Sequence, residues 1–201
     1  MQPMTKGMQT RERILDTAFR LAARDGLEGL SLASLAGDLS MSKSGLFAHF
    51  RSKEALQLEM LRTASDRFVA KVLAPAFREP RGLPRIKALA ENWRRWATDP
   101  SLPGGCIFVA ASAELDDREG PVRAYVVDQQ RALLQTIARA ARIAIDEGHF
   151  RRDLDVDQFA FEFEGIYLAF HHAQRLLRDP AAAARARDAV RRLLEDAAAR
   201  Q

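Results

Sequence analysis

The chain has 201 residues, 47% hydrophobic and 29% charged, with a formal net charge of +4 at pH 7. A single cysteine, Cys106, excludes an intramolecular disulfide framework and fits a reducing compartment. No run approaches the ~18–20 apolar residues of a membrane-spanning helix, and the N-terminal residues lack the apolar stretch of a signal peptide, so a cytoplasmic protein without membrane contact is expected. The basic excess suits a nucleic-acid partner, but many proteins with no such partner share it.

Nearly every segment follows the helical period, and strand-like alternation is scarce, so the reading is all-α. Ile14, Leu15, Ala18, Phe19 and Ala22 form the apolar face of a first helix that stops at Gly26. Leu27 and Leu30 lead to Ser31, an N-cap for a short helix over about Leu32 to Leu39. Ser42 caps a second short helix, about Lys43 to Phe50, and Ser52 opens a much longer one. That fourth helix is predicted to reach about Phe77, with a kink at Pro75 and a stop at Pro80. Helices over about 86–97, 106–115, 122–147, 156–177 and 181–199 follow, with Asp155 as a cap and Pro180 near the last helix's first turn. About nine helices result. An undivided helical bundle is equally compatible with this pattern.

The stretch "SLASLAGDLSMSKSGLFAHFRSKEAL" needs a separate explanation, because helices this short are marginal in isolation. A helix-turn-helix supplies one: its second helix is held by its neighbours and leaves one face free for a major groove. Leu32, Leu35, Ala36 and Leu39 give the brace its buried face, and Leu46 and Phe50 anchor the probe. Ser42, Lys43, Ser44, Gly45, Ala48 and His49 are small, polar or basic, as an approach to bases and phosphates requires.

"RILDTAFRLAARDG" followed by "GLEGLSLASLAGDLSMSKSGLFAHFRSKEAL" resembles the DNA-binding head of TetR-family repressors over about residues 9–60. The resemblance implies a three-helix head at 1–51, with its motif at about 31–50, and a larger helical ligand-binding and dimerisation domain at 52–201. It places Lys43 and Ser44 at base edges or the nearby backbone. Ser31, Ser42, Phe47, His49 and Lys53 would contact phosphates, and the dipole at a helix N-terminus favours such contacts. Ser31, Ser42 and Ser52 read equally well as caps alone. Two positions depart from the family pattern. Ser40 stands where the turn usually carries Gly, and Phe47 stands where Tyr is frequent, which removes a hydroxyl.

Sequence-specific binding needs two half-sites, so a homodimer on a pseudo-palindromic duplex is expected. By resemblance it forms through the last two helices, where Gly165 and Ala169 permit close approach, although packing inside one subunit explains them too. Trp93, Trp96, Phe108, Glu114, Tyr125, Phe163 and Tyr167 are the candidates for an effector pocket, and hydrophobic core is the competing reading for each. Glu162 or Glu164 would answer a cationic ligand. Cys106 follows Pro-Gly-Gly at a helix start, where a reactive thiolate and an ordinary buried thiol are both open readings. No P-loop, dinucleotide fingerprint or HExxH occurs, so neither a cofactor nor a metal is expected, and no enzyme. The functional expectation is a one-component transcriptional regulator, a repressor released by a small molecule. A helical interaction module, or a small enzyme using Cys106, is the alternative.

Overall fold

The computed structural model describes residues 6–102 and 105–199. Its regular elements are the helices α1 (Lys6–Gly29), α2 (Leu32–Asp38), α3 (Lys43–His49), α4 (Lys53–Phe68), a π-helical turn (Val69–Leu73), α5 (Ala74–Arg78), α6 (Leu83–Ala97), α7 (Ile107–Leu115), α8 (Pro121–Asp146), α9 (Val156–Arg175) and α10 (Ala182–Ala197). Among the described residues the only β pairing is an isolated antiparallel bridge between Phe150 and Ala198. The all-α reading therefore holds. Because α4, the π turn and α5 run on without a break, the expected count of about nine is also met.

Pro75 explains the π turn. It lies in the first turn of α5, has no N–H to give, and its ring collides with a carbonyl one turn back. Widening that turn lets the Ala74 N–H reach the Val69 carbonyl instead. Asn92 of α6 donates to the Val72 carbonyl at 3.2 Å, a polar group in the same distorted stretch. The kink expected at Pro75 is thus a one-turn bulge just ahead of it.

The chain forms two compact units: residues 1–66 with 100–127, and residues 67–99 with 128–201. In the first, α1 packs on both α2 and α7. Ile14, Leu27, Leu35, Leu46, Leu56 and Leu61 are among its most deeply buried side chains. Arg11 holds three elements together, donating to the His49 carbonyl at 2.8 Å, pairing with Glu59 and lying 4.6 Å over the Phe50 ring. In the second unit α9 and α10 form the principal pair, and α6 packs on α9. Asp155 caps α9 as expected, accepting from the amides of Asp157 and Gln158 at 3.0 Å.

Candidate nucleic-acid interface

The two short helices meet at a corner that the backbone defines closely. Ser40 has φ 52°, the left-handed conformation that an L-residue adopts at a cost. Its N–H donates to the Gly37 carbonyl at 3.0 Å, and the Met41 N–H donates to Ala36 at 2.9 Å. This pair of bonds is the Schellman ending of a helix, usually built with Gly at the position Ser40 fills. Ser42 then starts α3, its Oγ accepting from the Gly45 amide at 3.0 Å. Ser31 does the same for α2, accepting from Ser34 at 3.0 Å. Both serines are occupied caps, and both are exposed.

α3 divides sharply between its faces. Leu46 is fully buried, while Phe47, next to it, is 47% exposed. Ser42, Lys43, Ser44 and Ala48 are exposed as well, and His49 is half-buried. An exposed phenyl ring thus sits among the polar and small residues of this seven-residue helix. Lys53 is more engaged: its Nζ donates to the Glu28 carbonyl at 2.7 Å.

Sequence reasoning missed what fixes the kinked end of α1. Gly26 has φ 82° and ψ 165°, a conformation essentially reserved for glycine. Above it sits Glu114 of α7, whose carboxylate accepts from the amides of Leu27 and Glu28, both at 3.1 Å. A Cβ on Gly26 would lie 2.8 Å from Glu114 Oε1. Gln57 of α4 closes the arrangement from the other side, donating to the Leu27 carbonyl at 2.8 Å. Gly26 was legible as a helix stop, but its partner lies in a distant helix and left no local signal.

The seven effector candidates separate accordingly. Glu114, Phe108 and Tyr125 belong to the first unit. Phe108 is buried on α7, and the Tyr125 ring lies 5.9 Å from the Arg62 guanidinium, its phenol pKa raised by burial. Trp93, Trp96, Phe163 and Tyr167 belong to the second unit and are all buried. Trp93 stacks on Tyr167 with ring centres 4.4 Å apart and leans on Phe163 at 6.1 Å, while Phe68 meets both Trp93 and Trp96 edge-on at 5.6 Å. Tyr167 donates to the Ala90 carbonyl at 2.5 Å, and burial raises its pKa. The Trp96 indole N–H, in contrast, has no hydrogen-bond partner among the described residues. Beside this cluster a groove of about 440 Å³ runs between α6, α9 and α10, with Tyr167, Ala90, Arg94 and Val190 among its walls. Burial also raises the pKa of Glu164. Cys106 is half-buried in the cap position of α7.

Two family profiles match the sequence: "Bacterial regulatory proteins, tetR family" over residues 14–60 and "Tetracyclin repressor-like, C-terminal domain" over residues 82–190. The HTH-type transcriptional repressor ComR of Escherichia coli K12 is 31% identical over 115 residues, 56% of this chain and 54% of that protein. The chain thus aligns with about half the length of that relative. A TetR transcriptional regulator from Chloroflexus aurantiacus superposes with a TM-score of 0.81 at 26% identity, covering 96% of each chain. AibR, solved with isovaleryl coenzyme A and operator DNA, superposes with a TM-score of 0.69 at 26% identity, covering 80% of this chain and 85% of its own. The short brace, the exposed probe and the helical remainder have one common account: the chain belongs to the TetR family of DNA-binding transcriptional regulators.

Proposed function

We propose that the chain acts as a homodimeric, one-component repressor. Its heads, residues 1–51, read the half-sites of a pseudo-palindromic operator, and a small molecule held within residues 52–201 releases them. The observation that carries this reading is the polar, outward face of α3 set on a buried Leu46 anchor. Lys43 and Ser44 are positioned for base edges or the adjacent backbone. Ser31, Ser42, Phe47, His49 and Lys53 surround them as phosphate contacts, with Phe47 contributing bulk in place of a hydroxyl.

Dimerisation through α9 and α10 is supported by what those helices leave uncovered. Phe161 is 68% exposed and Leu168 41%, seven residues apart on one side of α9, and Leu176, which ends that helix, is 71% exposed. A side chain added at Gly165 would meet nothing within 4 Å, so packing inside the subunit does not account for that glycine. For the effector, the aromatic cluster of Trp93, Trp96, Phe163 and Tyr167 with the adjoining groove is the best-formed candidate. ComR carries the name of a repressor, and AibR was captured with both an acyl coenzyme A and its operator. Release requires a ligand that prefers the conformation whose heads mismatch the operator. The unbroken run from Lys53 to Arg78 is the element expected to transmit that preference.

A gel-shift with the DNA upstream of its own gene tests the reading. Specific retardation that weakens steeply with salt is expected, since each phosphate contact releases counterions. Equal affinity for unrelated duplexes would overturn it and favour a helical interaction module.

A further inference from the structure

Lys53 is not alone at Glu28. One oxygen of Glu28, Oε2, lies 3.0 Å from Arg118 Nη1 and 3.9 Å from Lys53 Nζ, so two cations share a single carboxylate oxygen. Lys53 also donates to the Glu28 backbone carbonyl. The backbone beneath that carboxylate is fixed, because Glu114 holds the amides of Leu27 and Glu28. Arg118 belongs to the turn between α7 and α8, and Lys53 opens α4, the helix that follows α3 in the chain. All four side chains lie in one compact unit.

We propose that Glu28 is an internal competitor with operator phosphate for Lys53, and that Arg118 sets the strength of the competition. This rests on the reading of Lys53 as a phosphate contact. With Arg118 in place the carboxylate is shared and stands 3.9 Å from Lys53, so the ammonium has mainly its bond to the Glu28 carbonyl to give up in turning to phosphate. When the α7–α8 turn withdraws Arg118, the whole carboxylate charge falls on Lys53 and the operator loses one cation. Glu114 acts as a positioning residue here, because it holds Glu28 within reach of both partners. All three charges are about half-exposed, so the effect has the size of a surface ion pair, roughly two- to five-fold in operator affinity.

Operator affinity of the full chain, measured by fluorescence anisotropy across a salt series, tests this with five proteins: wild type, Glu28→Gln, Arg118→Ala, Lys53→Gln and the Glu28→Gln/Arg118→Ala double variant. Glu28→Gln should tighten binding about two- to five-fold and steepen the salt slope by up to about one counterion. Arg118→Ala should weaken binding by a similar factor. That loss should vanish in the Glu28→Gln background, because Arg118 then has no carboxylate to hold away from Lys53. Additive effects in the double variant would mean only a general change of charge, and would overturn the proposal. Equal weakening by Glu28→Gln and Arg118→Ala would mean a bridge needed only for shape, and would overturn it too. If Lys53→Gln leaves affinity and salt slope unchanged, the phosphate reading itself fails and the competition fails with it. If Lys53→Gln weakens binding while the cycle is additive, the phosphate reading stands and only the competition is lost. A melting curve for each protein registers any loss of folding separately.

Discussion

Ser40 carries a backbone conformation that its own side chain disfavours. Left-handed geometry costs an L-residue about 1–2 kcal/mol, partly offset in a glycine by its extra unfolded-state entropy of about 0.5–1 kcal/mol. Ser40→Gly should therefore raise unfolding stability by about 0.5–1 kcal/mol, seen as a higher urea midpoint with an unchanged slope. A lowered midpoint would show that the serine side chain does something here beyond tolerating the turn. Gly26 presents the opposite case. Gly26→Ala should cost roughly 1–3 kcal/mol, because the conformation is strained for any side chain and the new methyl meets Glu114. Adding Glu114→Ala removes the clash but leaves the strain and gives up the bonds to the Leu27 and Glu28 amides, so the double variant should lose less than the sum of the two single losses in the same titration. Glu91 supplies a pH signal. Arg94, with help from Arg95, holds its carboxyl at about 2, below the ordinary 4.5. Since the folded value is the lower one, the contribution is complete above about pH 4.5 and fades as pH falls towards 2. Melting temperatures from pH 5 to 2.5 should fall less steeply for Glu91→Gln than for the wild type. Identical slopes would remove Glu91 as a source of acid sensitivity.

At the level of elements, what could be read from the sequence was what acts within a few residues. Ser31, Ser42 and Asp155 are caps whose hydrogen bonds close within three positions, and each does what its residue type implied. Pro75 announced a distortion, although nothing local chose a π turn over a bend. α6 begins at Leu83 rather than near Ile86, because Gly82 provides a left-handed entry and Pro84 is tolerated in a first turn. On α9 Phe159, Phe163 and Phe170 recur at helical spacing and are buried, Ile166 on the same face is half-buried, and Phe161 is exposed. Periodicity could not identify partners across the chain. Glu114 looked like a pocket carboxylate, and its engagement with the amides of Leu27 and Glu28 depends on how α7 packs against α1. The exposed side of α9 yields its own prediction. Leu168→Glu should halve the mass found by sedimentation and leave helical content unchanged, whereas a dimer that survives the charge would locate the interface elsewhere.

For the whole molecule, family membership accounts for the layout, and the proposed operator reading rests on a few exposed side chains of α3. A dimer of such heads spans half-sites one helical turn apart, about 34–36 Å, or a multiple of it. Lys43 is the side chain on which that reading leans most, being exposed at the first position of α3. DNase footprinting on the DNA upstream of its gene, with wild type beside Lys43→Ala, therefore tests the central claim most directly. The account predicts two protected half-sites related by a dyad for the wild type, and protection weakened or lost at both half-sites for Lys43→Ala. Protection spread without preference over unrelated duplexes, or a footprint indifferent to Lys43, would contradict it.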